Sequence, residues 1–178
     1  MTTRALQLIF GEKETSDSWL DAIHLWWEKN QHQFTHIKRL VFYLDNGPNN
    51  SGSRTQFLKR MVQFCDWCNR EIRLVYYPPY HSKYNPVERC WSALERKWNG
   101  LLLDRISFVL ETARRMTWCG QHPAIAQLPP KHYPDDVTLT KRQMRPWEDR
   151  LTRSATLPKY DITIQPGVPM KWYGYRCQ

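Results

Sequence analysis

Hydrophobic and polar positions along the chain change period several times, and each change marks an element. Leu6, Leu8, Ile9 and Phe10 form one short apolar run before the polar stretch Gly11 to Glu14, which predicts a single strand. Thr15, Ser16 and Asp17 then offer N-cap chemistry to a segment whose Trp19, Leu20, Ile23, Trp26 and Trp27 recur at helical spacing as far as Asn30. Ile37 to Leu44 is a compact apolar run that ends at Asp45-Asn46-Gly47-Pro48, which predicts an interior strand. From Arg54 to Asn69 the period returns to that of a helix, with Phe57, Leu58, Met61, Phe64, Cys65 and Cys68 on one face. Ile72 to Tyr77 follows as a second strand.

Strand, helix and strand in this order form a βαβ unit, so the two strands are expected to be parallel with a right-handed crossover. Pro78 and Pro79 end the second strand, because proline has no N–H to give to a ladder. After the loop His81 to Tyr84, Asn85-Pro86-Val87-Glu88 has the chemistry of a helix start. Asn85 is the N-cap, Pro86 sits where an N–H would be unsatisfied anyway, and Glu88 occupies the third position. That helix should run to about Trp98, with Gly100 ending it, and Ser107 to Trp118 predicts another. Beyond Gly120 the pattern weakens and prolines punctuate it, which predicts an extension wrapped on the domain. The expected division is residues 1–120 as the α/β domain and 121–178 as a C-terminal extension.

The chain has 178 residues, enough for one ordinary domain, and 41% hydrophobic residues with nine Trp exclude a disordered chain. No apolar run approaches the roughly 18 residues of a membrane helix, and the start lacks the layout of a signal peptide, so a cytoplasmic protein is expected. Five Cys without a regular framework argue for reduced thiols. The formal charge is +9, distributed as −2 over residues 1–30, +7 over 31–130 and +4 over 131–178. Such an excess points to a polyanionic partner, of which nucleic acid is the commonest.

Asp45 ends a parallel strand, the edge at which open α/β sheets place ligands, and Glu88 opens the helix after the adjacent strand. A βαβ connection should return both to one edge, where two carboxylates can hold Mg²⁺ or Mn²⁺. Two plainer readings stand beside this one. Asp45 can be a turn residue that bonds its own backbone, and Glu88 can complete a capping box with Asn85.

The stretches LVFYLDNGPNNSGSRTQF and LVYYPPYHSKYNPVERCWSALERKWNG, with the later MTWCG and LPKYDITIQPG, resemble the catalytic-domain half of bacterial insertion-sequence transposases in the mariner-related branch of the DDE superfamily. The resemblance implies an RNase H-like α/β fold, a mixed sheet with helices packed on it. It implies Mg²⁺- or Mn²⁺-dependent cleavage and transfer of DNA strands at transposon ends and target. The second acid of that family's site falls on Asp45, and the third, in an N-P-x-E helix start, on Glu88. An oligomer, or assembly with intact transposase, is a further implication.

The family's first acid lies on the first strand of the sheet, ahead of two more strands and a helix. Glu12 and Glu14 lie beyond the only upstream strand, and Asp17, Asp21 and Glu28 are at or within the helix. A truncated fold lacking its first strands and first catalytic Asp is therefore expected, with an unpaired sheet edge, weak metal affinity and no strand transfer by this chain alone. A non-catalytic DNA-binding or regulatory remnant is the competing reading.

Arg54, Lys59, Arg60, Arg70, Arg73, Lys83, Arg89, Arg96 and Lys97 supply the central basic excess, and Lys83 and Arg89, flanking the acids, are the expected phosphate contacts. Tyr76, Tyr77, Tyr80 and Tyr84 could stack on bases or simply pack. The lone Cys65-x-x-Cys68 lacks a second pair at zinc-site spacing and predicts buried thiols on a helix face.

Overall fold

A computed structural model describes residues 5–78 and 85–167. The chain starts with β1 (Gln7–Phe10) and α1 (Ser16–Asn30), followed by a single 3-10 turn over Gln31–Phe34. A βαβ unit comes next: β2 (Arg39–Leu44), α2 (Thr55–Cys68) and β3 (Glu71–Tyr76). Two helices, α3 (Pro86–Trp98) and α4 (Ile106–Arg114), lead to β4 (Ala124–Gln127), α5 (Lys141–Glu148), β5 (Leu151–Arg153) and β6 (Asp161–Ile164).

Local chemistry accounts for the helix ends. Thr15 and Ser18 form a reciprocal capping box at the start of α1. Asn69, at φ 50°, ends α2 in the left-handed conformation that asparagine tolerates. Asn85 accepts the Val87 N–H at the start of α3, with Pro86 in the first turn. Gly100, at φ 78°, follows that helix where only glycine is unstrained.

The strands form a mixed sheet in the order β2-β3-β6-β5 and a separate parallel pair, β1 with β4. β2 and β3 are parallel, as the βαβ pattern requires, whereas β6 runs antiparallel to both β3 and β5. The inward face of the large sheet carries Leu40, Leu44, Ile72, Leu74, Ile162 and Ile164. These pack with Leu20 and Trp27 of α1, with Phe57, Leu58, Met61, Phe64 and Cys65 of α2, and with Met144 of α5. Removing a fully buried ring such as Phe57 or Phe64 would cost about 3–5 kcal/mol. A second cluster joins Leu8, Leu94, Ala113 and Met116, so α3 and α4 pack with the β1–β4 pair and not in the main core.

Three expectations are corrected. The run Ile37 to Leu44 is not an interior strand, because among the described residues β2 pairs with β3 alone and leaves Val41 and Tyr43 exposed on the face that no helix of the main core covers. The helix predicted from 107 to 118 stops at Arg114, where the Arg115 and Met116 N–H groups bond back three residues to Thr112 and Ala113, and positive φ at Cys119 and Gly120 then turns the chain into a bridge between Trp118 and Gln121. The segment beyond Gly120, expected as an extension wrapped on the domain, is more integral than that: it holds β4, α5, β5 and β6 and buries Met144, Ile162 and Ile164 in the main core. Its strands have only three or four residues, and α5 contains Pro146, so neither period rises above the background of turn residues.

Candidate functional site

Asp45 directly follows β2, at the C-terminal end of a strand that is parallel to its neighbour. It is exposed, and its Oδ1 accepts from the Asn50 side-chain amide at 2.9 Å and, more distantly, from the Gly47 N–H at 3.4 Å. The turn reading thus describes one oxygen. Among the described residues the other oxygen has no hydrogen bond, and the carboxylate has no ion pair.

Asn50 is a residue the sequence reading missed. It is 2% exposed, and its own Oδ1 is a buried acceptor without a donor among the described residues. A Cβ added at Gly47 would stand 3.2 Å from that oxygen and 3.6 Å from Asp45 Oδ1, so glycine leaves a small oxygen-lined recess there. The doubled Asn after Gly-Pro was the only sequence signal.

The loop from Asn46 to Ser53 is held from several sides. Ser16 donates to the Asn49 carbonyl at 2.7 Å, Asn49 donates to the Glu14 carbonyl at 3.1 Å, and Arg153 donates to the Gly52 carbonyl at 3.0 Å. Anchoring of this kind fixes Asn50 and, through it, the rotamer of Asp45.

Glu88 lies in the first turn of α3, where its N–H donates to the Asn85 carbonyl at 3.1 Å. The capping box does not form, because the Asn85 side chain bonds Val87 and the Glu88 carboxylate makes no hydrogen bond or ion pair among the described residues. Like Asp45, it is left open. Their supporting elements pack in different clusters, β2 in the main core and α3 in the second. Arg89 is exposed on α3, and Lys83, with His81, Tyr80 and Tyr84, lies outside the described residues.

The upstream acids are otherwise engaged. Asp21 is fully buried and accepts from Arg60 at 2.7 Å, Lys131 at 2.8 Å and the Tyr133 hydroxyl at 2.9 Å, while Asp17 pairs with the same arginine at 3.2 Å. This clasp joins α1, α2 and the segment after β4. Glu14 accepts from the Trp19 indole, and Glu12 and Glu28 are exposed. No acid upstream of Asp45 lies on a strand of the four-stranded sheet. Beside the clasp, His24 is buried against Trp67, and burial pushes its imidazole down to about 4.

Other candidates resolve into packing. Burial pushes the Cys65 thiol up to about 12 and that of Cys68 to about 11, so both stay protonated core side chains. Tyr76 is buried in the main core, and burial raises its hydroxyl well above the usual phenol range. Of the basic residues, Arg60 belongs to the clasp, Arg73 pairs with Asp161 at 2.7 Å and Arg54 with Asp136 at 3.5 Å.

As donors, two open carboxylates suit a hard divalent cation in kind. In number they fall short, because the described residues contain no group of three or more His, Cys, Asp or Glu able to hold a metal. No helix among the described residues is long and apolar enough to cross a membrane.

Fold and site together define an α/β domain on a mixed sheet, with an open carboxylate where a parallel strand ends. A family model described as the Rhodopirellula transposase DDE domain matches residues 5–166, and the chain belongs to this family of DDE transposase domains. No curated protein and no solved structure matches the chain. Membership in a transposase family implies a DNA partner, and DDE domains generally use a divalent metal.

Proposed function

We propose that this chain is the C-terminal part of a DDE transposase catalytic domain, of the mariner-related branch and of RNase H-like design, with Asp45 and Glu88 as its second and third acids. The observation that carries the reading is the Asp45 carboxylate, exposed at the end of a parallel strand, oriented by Asn50 and free of any protein cation among the described residues. Asp17, Asp21, Asp66 and Asp161 are instead paired with arginines.

Asp45 and Glu88 would hold Mg²⁺ or Mn²⁺, and the bound cation would neutralise charge at the phosphate being cleaved. The chain's own part is positional. The anchored 46–53 loop fixes Asp45, the Asn85-capped helix start presents Glu88, and Lys83 and Arg89 are the residues that would contact DNA phosphates. Water and then a DNA 3′-hydroxyl are the attacking groups, and no covalent bond to the protein forms. Every upstream acid stands off the main sheet, and Asp17 and Asp21 are held in the clasp, which supports the reading that this chain lacks the first catalytic Asp and transfers no strand alone.

The test supplies the missing strands as a separate polypeptide and assays Mn²⁺-dependent nicking of transposon-end DNA. Nicking that Asp45→Asn and Glu88→Gln each abolish is the expected result. Nicking that survives both substitutions would overturn the assignment. The engagement of Asp17 and Asp21 in the clasp favours a second reading, a DNA-binding remnant that interferes with intact transposase, and binding with no nicking under complementation would leave only the binding part of it.

A further inference from the structure

Helix α5 breaks two local rules at once. Its first turn holds Lys141 and Arg142 and no acid, where the helix dipole favours negative charge. Lys141 and Arg145 stand four residues apart on one face, a like-charge pair that destabilises an isolated helix. All three side chains are exposed, and none makes an ion pair or hydrogen bond among the described residues. The opposite face is fully explained by packing: Met144 enters the main core, and Trp147 lies under the Lys59 ammonium, 5.8 Å from the ring centroid. The acids that share this face, Glu148 and Asp149, sit at its far end, with Glu148 paired to Arg153, so charge runs along α5 opposite to what its dipole favours, and a first turn of unpaired cations that opposes helix stability points to function.

The placement of α5 fixes its direction. Leu139, just before the Thr140 cap, donates its N–H to Thr55 Oγ1 at 2.9 Å, which sets the start of α5 against the start of α2, at the sheet edge that carries Asp45. Arg150, just past the far end, pairs with Asp66 at 2.7 Å in the last turns of α2. The cations Lys141, Arg142 and Arg145 therefore begin at the Asp45 edge and continue away from it along the α2–α5 flank.

We propose that this flank is a second DNA contact, in which Lys141, Arg142 and Arg145 bind the sugar–phosphate backbone of duplex DNA leaving the Asp45 edge. The complementarity is of charge alone, so the contact fixes the path of the duplex and reads no bases. The inference rests on the DNA-acting reading of the Asp45 edge, and the test separates the two.

The full chain is titrated against a short fluorescein-labelled duplex of arbitrary sequence, with anisotropy read at a series of NaCl concentrations. Neutralising Lys141, Arg142 and Arg145 together to Gln is expected to flatten the slope of log affinity against log salt by about 2 to 3, so the loss between about 50 and 200 mM salt shrinks by about 40-fold. A control variant with Lys29, Lys38 and Arg114 changed to Gln lowers the formal charge of +9 by the same three and is expected to keep the wild-type slope. Thermal melts confirm that both variants fold. Equal slopes for the α5 variant and wild type, or equal losses in both triple variants, would overturn the α5 contact. The titration is run in EDTA, so failure of the metal-site reading shows in a separate Mn²⁺-binding measurement and not here. Wild-type affinity indifferent to salt would overturn both readings.

Discussion

Replacing Asp21 by alanine removes the shared counter-charge of the clasp between α1, α2 and the segment after β4. Asp21 is fully buried, and Arg60, its closest partner at 2.7 Å, has a side chain only 15% exposed. Breaking a buried pair from one side costs about 3–5 kcal/mol, because the remaining charge stays desolvated. Two features place this site at the low end. Arg60 keeps Asp17 at 3.2 Å, and Lys131, 36% exposed, can turn into water. The buried Tyr133 hydroxyl, by contrast, loses the acceptor it has at 2.9 Å. The expected loss is about 3 kcal/mol, or roughly 6–12 °C in Tm for a domain of this size. Urea unfolding of wild type, Asp21→Ala and Asp21→Asn measures it, with the asparagine variant intermediate because its amide still accepts from Tyr133. An Asp21→Ala protein within about 1 kcal/mol of wild type, yet defective in divalent-cation binding, would refute the reasoning and make Asp21 a metal ligand.

Three further outcomes follow from the same packing. His24, pushed down to about 4 by burial, is neutral in the fold but takes a proton in the unfolded chain at its ordinary value of 6.5. Stability is therefore complete above that value and falls as pH drops toward 4, by about 2 kcal/mol between roughly pH 7 and 5. Urea unfolding at the two pH values should show this drop in wild type and not in His24→Gln. Of the four cysteines among the described residues, only Cys119 is exposed, so thiol labelling at mildly alkaline pH with peptide mapping should modify it and spare Cys65 and Cys68 until denaturant is added. Native labelling of Cys65 would contradict its burial. A Cβ at Gly52 would lie 2.1 Å from the Lys159 carbonyl, a backbone atom that cannot step aside, so Gly52→Ala should cost about 3 kcal/mol in denaturant unfolding and loosen the loop that orients Asp45.

Elements whose evidence is local were legible in the sequence. The caps at Thr15 and Asn85, the long apolar face of α2 and the parallel β2–β3 pair all follow from spacing within one or two turns of chain. What the sequence concealed depends on distant partners. β5 and β6 have three and four residues, and they become strands because β3 offers an edge to β6, which in turn offers one to β5. Val41 and Tyr43 are as apolar as any interior strand residue, and only the arrangement of helices decides that they face water. Arg60 looked like one more member of the basic surplus until Asp17 and Asp21 were found beside it. At the candidate site, Asp45 and Glu88 could be named from their positions at element ends, but Asn50 could not. Its value lies in where the loop folds back, and an asparagine in a turn-rich segment has many reasons to be there.

Binding of Mn²⁺, followed by electron paramagnetic resonance of the free ion, bears most directly on whether residues 45 and 88 serve one cation. Two carboxylates sharing an ion predict measurable but weak binding by wild type and weakening by either Asp45→Asn or Glu88→Gln. The double variant should then be no weaker than the more damaged single, since the second substitution removes a ligand from a site already lost. Independent, additive losses, or binding that neither substitution changes, would contradict a shared site.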